Sequence, residues 1–309
     1  MNNKKIWIDT DTGVDDAVAL FCASKLNCLE VVGISAVAGN AELKYTFKNA
    51  RDVIHMAGLD CKVYKGAEKP LVYDLVTAPT VHGVNGMGDA ILPESPAAVE
   101  TKPAWDALYE KAKELNGELY VVAVGPLTNI ALTLKHHPDF KNYCKELFIM
   151  GGAATGGNAT PCAEFNIYAD PHAAKEVFDS GIFINMFGLD VTHKALLDKN
   201  DIEEIISYNN PVSDVFRDST GYALKLYESQ TVYGLCEHDS CPIIYLAHPE
   251  LFKYEDCGVY VEADGELTRG ETVVDIWSYI KFEDRHCRVF LDVDTKKMAQ
   301  VIKDIYKQF

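Results

Sequence analysis

The 309-residue sequence lacks a CxxC pair among its nine cysteines and lacks any long hydrophobic run. An odd number of scattered cysteines disfavours both a disulfide framework and a zinc site, so we expect reduced thiols and a cytoplasmic protein. The first residues pass from a few polar side chains directly into an apolar segment, which leaves no room for the core of a signal peptide. No apolar run approaches the length of a bilayer span, so we expect no contact with a membrane interior.

Positive charge is also scarce. The chain has 29 lysines and arginines against 46 aspartates and glutamates, a net charge of −17. Nucleic-acid binding normally requires a basic face that neutralises phosphates, and an anionic membrane surface requires the same. These partners are therefore disfavoured, and a neutral or cationic small molecule is the expected ligand.

Linkers and repeats are missing as well. No Gly/Ser or Pro-rich stretch divides the chain, and no fixed period recurs along it. Because α/β folds of this size often form one domain, we expect a single domain over residues 1–309.

Short β-rich segments alternate with helical patterns over the first two thirds, which predicts βαβ units and a mostly parallel, Rossmann-like α/β sheet. The expected strands cover residues 6–9, 31–38, 119–124, 147–150 and 182–189. The expected helices cover residues 15–26, 42–57, 103–115, 127–136 and 171–180.

The pattern changes after residue 198 to extra helices and a C-terminal hairpin. Helices are expected at residues 201–208, 213–229 and 239–246, a hairpin at 258–262 and 272–276, and then a strand at 288–292 and a helix from Thr295. The long, proline-bearing stretch at residues 70–102, called the flap below, predicts an irregular functional loop.

Four aspartates lie within eight residues directly after the first predicted strand: Asp9, Asp11, Asp15 and Asp16. Carboxylates at close range raise each other's pKa unless a positive charge sits among them. An oxygen-only cluster favours a hard cation, Ca²⁺ or Mg²⁺, over zinc. The alternative is that Asp15 caps a helix and Asp16 favours its dipole, but four acids around a glycine turn favour a functional site.

Other polar and glycine-rich segments also follow predicted strands, at Gly39-Asn40, Gly125-Pro126 and Gly151-Gly152. Ligands of open parallel sheets bind outside the carboxyl ends of the strands. Taken singly, these residues have non-functional explanations. Asn40 could be a turn residue without a binding role, and Met150 could be an ordinary core residue. Their convergence on one sheet edge predicts a shared site.

These motifs resemble the inosine-uridine-preferring nucleoside hydrolases, whose hallmark is an aspartate-rich opening. The matching segments are DTDTGVDDAVAL at 9–20, AGN at 38–40, VGPLTNIA at 124–131, MGGA at 150–153, NATPCAEFNIYADP at 158–171, GLDVT at 188–192 and His238-Asp239. The resemblance spans about three quarters of the chain and adds little over the last sixty residues.

The resemblance implies Ca²⁺-dependent hydrolysis of the N-glycosidic bond of ribonucleosides to ribose and free base. It places Ca²⁺ on the carboxylates of Asp11, Asp16 and Asp239 and on the main-chain carbonyl of Val124. Asp11 would also act as the general base toward the metal-bound water. The adaptable oxygen shell of Ca²⁺ suits this task better than the rigid octahedron of Mg²⁺.

The resemblance also implies the substrate contacts. The 2′- and 3′-hydroxyls of the ribose would be bound by Asp15, Asn40 and Asn166, with Asp239 beside them. The 5′-hydroxyl would be bound by Asn158 and Glu164. Met150 would line the underside of the sugar, and His82 would lie near the base. The family commonly forms dimers or tetramers, so we expect a homo-oligomer.

The leaving base requires a proton, and His238 beside Asp239 is the expected acid, since imidazole titrates nearest to working pH. Glu237 could raise the pKa of His238 or point to solvent. Tyr227 and Tyr233 could stack on the base or only pack in a helix. Base specificity depends on residues 77–88 and 222–237 and stays open among inosine, uridine, cytidine and adenosine.

Two other functions compete with this one. A phosphatase of the haloacid dehalogenase type also carries an Asp-x-Asp after its first strand, but its later lysine has no counterpart at the strand ends here. A non-catalytic, metal-dependent nucleoside or ribose receptor would need the sugar contacts but neither a base nor an acid, and the pair Asp11 and His238 argues against it.

Overall fold

The computed structural model describes residues 3–88, 90–229, 234–279 and 287–309. Its strands, numbered in chain order, are β1 (Lys4–Thr10), β2 (Leu29–Ala36), β3 (Val63–Lys65), β4 (Leu119–Ala123), β5 (Cys144–Met150), β6 (Ile184–Phe187), β7 (Leu196–Leu197), β8 (Leu235–Cys236), β9 (Phe252–Glu262), β10 (Glu271–Asp275) and β11 (Cys287–Val293). Its α-helices are α1 (Val14–Lys25), α2 (Leu43–Ala57), α3 (Pro79–His82), α4 (Ala104–Glu114), α5 (Thr128–His136), α6 (Phe165–Ala169), α7 (Pro171–Phe178), α8 (Leu189–Thr192), α9 (Lys199–Ser207), α10 (Pro211–Ser219), α11 (Gly221–Ser229), α12 (Ser240–Ala247) and α13 (Thr295–Tyr306).

Nine strands form one mixed, mostly parallel sheet in the order β10-β9-β11-β6-β5-β4-β1-β2-β3. Among the described strands of this sheet, β9 runs antiparallel to β10 and β11, and the other neighbours are parallel. β7 and β8 form a separate antiparallel ribbon of two strands. The strand order reverses between β1 and β4, which is where open α/β sheets bind their ligands. The predicted α/β fold is confirmed.

Both faces of the sheet are covered, which explains why its strands have continuous apolar sequences. Side chains alternate along β1: Ile6 and Ile8 pack with α1, α12 and α13, and Trp7 packs with α4 and α5 on the other face. Among the described residues, no helix is both long and apolar enough to cross a membrane.

The predicted C-terminal hairpin is present as β9 and β10, with Glu262 opposite Glu271. The expected single helix over residues 213–229 is wrong, because α10 ends at Ser219 and α11 begins at Gly221. Thr220 lies between them, and its hydroxyl donates to the carbonyl of Phe216 at 2.8 Å. The flap is largely irregular, as expected, but it contains the short helix α3.

Candidate active site

A cavity of about 610 Å³ opens at the carboxyl ends of the central strands. All eight residues predicted to bind substrate line it: Asp15, Asn40, His82, Met150, Asn158, Glu164, Asn166 and Asp239. Val124 and His238 also face it. Asp11 and Asp16 are fully buried behind this lining. The structure therefore brings residues from the whole length of the chain to one site.

The acidic loop is held in place by short hydrogen bonds to Asp16 at the first turn of α1. The Thr10 hydroxyl donates to Asp16 Oδ1 at 2.5 Å, and the Gly13 backbone N–H donates to Asp16 Oδ2 at 2.9 Å. The Asn40 amide donates to the same Oδ2 at 3.1 Å. These bonds fix the carboxylate while leaving further lone pairs for a ligand.

Asp11 lies between the ends of two neighbouring strands. The Asn40 backbone N–H donates to its Oδ2 at 2.6 Å, and its buried Oδ1 has no hydrogen-bond partner in the described structure. Two glycines make room for it: a Cβ on Gly39 would overlap Oδ2, and one on Gly125 would lie 2.6 Å from Oδ1. Glycine at both strand ends is therefore a packing requirement of this carboxylate.

Three carboxylates, from Asp15, Asp16 and Asp239, have oxygens within 4.8 Å of one another and could hold a metal ion. Burial raises the pKa of Asp15 and that of Asp16 to about 6, and burial followed by repulsion from Asp16 raises that of Asp11 well above its ordinary value. The pKa of Asp239 rises likewise, through burial and then repulsion from Asp15. The orphaned Oδ1 atoms of Asp11 and Asp15 and the all-oxygen donor set fit a hard divalent cation.

The part of the cavity that is predicted to bind the sugar is built by the turn before α6. Glu164 accepts the backbone N–H groups of Gly152, Asn166 and Ile167 at 2.9, 2.9 and 3.2 Å. The Asn166 amide donates to the carbonyls of Val124 and Met150 at 2.8 and 3.0 Å, and Asn158 Oδ1 accepts the N–H of Phe165. Burial raises the pKa of Glu164 to about 7.

Two histidines line the cavity beside the acidic residues: His82 Nδ1 lies 4.0 Å from Asp15 Oδ1, and His238 directly precedes Asp239. His82 Nδ1 accepts the backbone N–H of Val14 at 3.2 Å, so in the neutral ring the proton sits on Nε2. His238 Nδ1 lies 2.8 Å from the Thr192 hydroxyl, and its Nε2 lies 3.1 Å from the Tyr227 hydroxyl. Burial lowers the pKa of His82 to about 4 and that of His238 to about 3. Both rings are therefore neutral near pH 7 in the free site.

Neither expectation for Glu237 holds. The Glu237 side chain is buried rather than pointing to solvent, and its Oε2 accepts a hydrogen bond from the Ser240 hydroxyl at 3.2 Å. The pKa of the neighbouring His238 is lowered rather than raised. Burial raises the pKa of Glu237 itself to about 8. Tyr227 faces the cavity and touches His238, whereas Tyr233 lies outside the described residues.

Several wall residues were missed from the sequence, among them His193, Cys236 and Tyr168. The His193 ring stands edge-to-face to that of His238, with 5.7 Å between centroids. The GLDVT match ends immediately before His193, so proximity to that motif was the available signal. Nothing local marks Cys236, because the two-residue ribbon of β7 and β8 positions it.

Comparison with known proteins assigns this fold and cavity to the N-glycosyl hydrolases. The chain matches the family described as Inosine-uridine preferring nucleoside hydrolase over residues 6–300, and it belongs to that family.

Named relatives extend over nearly the full chain. A pyrimidine-specific ribonucleoside hydrolase RihA from Salmonella typhimurium is 37% identical over 302 residues, which is 97% of either chain. A plant nucleoside hydrolase, PpNRh1, superposes with a TM-score of 0.92 at 29% identity, over 98% of this chain and 99% of the plant chain. A purine-preferring ribonucleoside hydrolase from Gardnerella vaginalis has a TM-score of 0.91 at 30% identity, over 99% and 100% of the two chains. Membership in the nucleoside hydrolase family argues against both the phosphatase and the non-catalytic receptor.

Proposed function

We propose that this enzyme hydrolyses the N-glycosidic bond of ribonucleosides in a Ca²⁺-dependent reaction, with pyrimidine ribonucleosides as the preferred substrates. The main support for this proposal is that one cavity contains a carboxylate cluster, all the residues predicted to bind the sugar, and two histidines. The relative with 37% identity is named for pyrimidine specificity, which supports the base preference.

Asp11, Asp16 and Asp239 would hold Ca²⁺ together with the Val124 carbonyl, as the resemblance implies. The described carboxylate trio includes Asp16 and Asp239 but has Asp15 in place of Asp11 as its third member, so Asp15 would lie close to the ion as well. The Val124 carbonyl already accepts from Asn166 and keeps a second lone pair. When bound, Ca²⁺ would polarise a water and two vicinal hydroxyls through an adaptable oxygen shell.

Asp11 is the proposed general base. Its unpartnered Oδ1 is available to accept a proton from the attacking water, while Oδ2 is anchored by the Asn40 N–H. Anchoring one oxygen fixes the direction of the other, and such orientation is a large part of general-base catalysis.

The ribose contacts serve the transition state. Asp15, Asn40 and Asn166 would bind the 2′- and 3′-hydroxyls, and Asn158 and Glu164 the 5′-hydroxyl. Cleavage of the C–N bond develops positive charge at the anomeric carbon, as in glycoside hydrolysis. The surrounding carboxylate and amide oxygens would stabilise that charge, because their negative ends are held in position before the charge develops.

His238 is the proposed acid at the leaving base. His82 would donate a hydrogen bond from its Nε2 to the same base. Because His238 is neutral in the free site, it would take up a proton from solvent once substrate is bound and then pass that proton to the base; negative charge that develops on the departing base favours the protonated ring. Tyr227 contacts His238 Nε2 and so fixes the ring at the base end.

A substrate panel tests this function. Uridine, cytidine, inosine and adenosine are incubated with enzyme that has been treated with chelator and then resupplied with Ca²⁺ or Mg²⁺, and reducing sugar is measured. We expect release of ribose, fastest from uridine or cytidine, loss with chelator and recovery with Ca²⁺. A 2′-deoxyribonucleoside should react much more slowly. Full activity in chelator, or equal rates for the deoxy substrate, would contradict the proposal.

A further inference from the structure

A second cavity of about 320 Å³ lies beside the active site, and Tyr168 lines both. In this second cavity, the guanidinium of Arg269 stacks between two tyrosine rings. It lies 4.3 Å from the centroid of Tyr73 in the flap and 4.1 Å from that of Tyr168 in α6. One side chain thus connects the flap to the wall of the proposed sugar site.

The connection between β9 and β10 holds the backbone of Arg269 in a fixed position. The Arg269 N–H donates to the Gly265 carbonyl at 3.0 Å, and the Gly270 N–H donates to the Glu262 carbonyl at 2.7 Å. Gly270 has φ +82°, and a Cβ there would lie only 2.7 Å from the Cα of Tyr168. Only glycine allows this close approach, which brings Arg269 against α6.

Tyr73 is equally constrained on the flap side. Its hydroxyl lies 3.4 Å from Asp264 Oδ1, and its ring lies 5.4 Å from that of His172. His172 Nε2 is in turn 3.2 Å from Asp264 Oδ1. The flap is therefore attached at Tyr73, a few residues before the segment 76–82 that covers the base end of the active site.

Arg269 makes no hydrogen bond or ion pair with any side chain in the described part of the chain, so the two rings are its contacts. A guanidinium over an aromatic face is favourable, and its flat shape allows stacking on both sides at once. The second cavity also contains Asp264 and Glu266, which disfavour an anionic ligand for this arginine. A role within the protein accounts for these contacts better.

We propose that Arg269 is a positioning residue that holds the flap against Tyr168 and thereby retains the substrate, without acting in bond cleavage. This inference rests on the proposed ribonucleoside hydrolase function. It assigns the tyrosine–arginine–tyrosine stack to substrate binding, so its loss should appear in KM rather than in kcat.

Kinetics of two variants test the proposal. R269M keeps the aliphatic stem but removes the charged plane, and R269K keeps the charge without the plane. If each ring contact contributes ~0.5–1 kcal/mol, R269M should raise KM roughly 5- to 30-fold with kcat unchanged or higher, and R269K should give a smaller increase.

Arg288 provides a control for the loss of an arginine–aromatic contact outside the site. It lies 4.2 Å from the ring of Tyr254 and 5.4 Å from that of Phe183, at the start of β11, and it does not line the cavity. Unlike Arg269, it also pairs with Asp256 at 3.3 Å, so its replacement should affect stability more. R288M should lower Tm while KM stays at the wild-type value. An equal rise in KM for R288M, or an unchanged KM for R269M, would overturn the assignment.

Hydrogen exchange separates this proposal from the catalytic one, because it needs no turnover. Amides of residues 71–78, including the Ala78 N–H that donates to the Asn40 carbonyl, should exchange faster in R269M than in the wild type. Wild-type exchange in R269M would overturn the flap role whatever the activity. If the wild-type enzyme is inactive on ribonucleosides but exchange is still faster in R269M, the proposed function is contradicted and the role of Arg269 in holding the flap is not.

Discussion

Asp11 shows how a single residue depends on its surroundings for a chemical role. One of its oxygens is fixed by a backbone N–H, and the other is buried without a hydrogen-bond partner among the described residues. Glycines at two strand ends leave the space that the carboxylate fills. Burial and neighbouring carboxylates raise its pKa, so the arrangement is costly without a cation. Such a cost points to function rather than to stability.

Replacing Asp11 by asparagine should therefore abolish turnover while the fold survives. Loss of a general base lowers rates by about 10²–10⁴-fold, and a weakened metal site adds to this. Initial rates at saturating uridine, together with thermal unfolding, measure both effects. D179N, at an exposed ion pair with Lys175, is the matched control and should keep wild-type activity. Substantial turnover in D11N would remove Asp11 from the role of base.

His238 can be tested through the leaving group. H238A should reduce hydrolysis of uridine by about 10²–10⁴-fold, because the departing base then lacks its acid. Hydrolysis of a nitrophenyl riboside, whose leaving group needs no proton, should be much less affected. The ratio of the two rates in H238A and wild type is the measurement. Equal losses on both substrates would mean that His238 serves binding or folding instead.

At the scale of elements, Asp170 joins three segments around the site. It caps α7 through the Ala173 N–H at 3.1 Å, accepts the Thr128 hydroxyl of α5 at 2.8 Å and accepts the Leu71 N–H of the flap at 2.9 Å. The side chain is fully buried. This residue therefore links helix capping to the position of the flap.

D170A should lower the free energy of unfolding by about 2–4 kcal/mol, since it removes a cap and leaves buried donors unpaired. D170N keeps an oxygen acceptor and should lose less. Urea denaturation followed by circular dichroism measures the difference. A D170A midpoint equal to that of the wild type would show that water replaces these bonds without cost.

The sequence predicts the central elements because alternation of apolar strands and amphipathic helices is a local property. The acidic loop and the strand-end glycines likewise place Asp11, Asp16 and Asn40 at one edge. Other features depend on long-range packing, which a local pattern does not contain. They are the break between helices at Thr220, the position of Cys236 in the cavity wall, and the stack of Arg269 on Tyr73 and Tyr168. Part of the site was therefore found through its motifs. The wall residues His193 and Cys236, which lie outside those motifs, were not found.

For the whole molecule, the excess of acidic residues has a thermodynamic consequence. A net charge of −17 and a buried carboxylate cluster both oppose compaction, so a bound divalent cation should stabilise the protein. A single domain, a cytoplasmic location and assembly into dimers or tetramers stay predictions from the sequence and its resemblance.

Ca²⁺ should raise Tm after treatment with chelator. At a free concentration of 100 times Kd, binding stabilises the folded state by ~2.7 kcal/mol. Scanning calorimetry with chelator, Ca²⁺ or Mg²⁺ measures the shift, and D16N should abolish it. The same shift in wild type and D16N would show that Ca²⁺ acts elsewhere on the surface.

The carboxylate trio spans most of the chain, since Asp15 and Asp16 open α1 and Asp239 directly precedes α12. During translation, a nascent polypeptide exposes the first two acids long before the third emerges from the ribosome. In the proposed site, incomplete chains that stop before residue 239 would lack one of the three carboxylates, so cation binding would require synthesis to have passed this point.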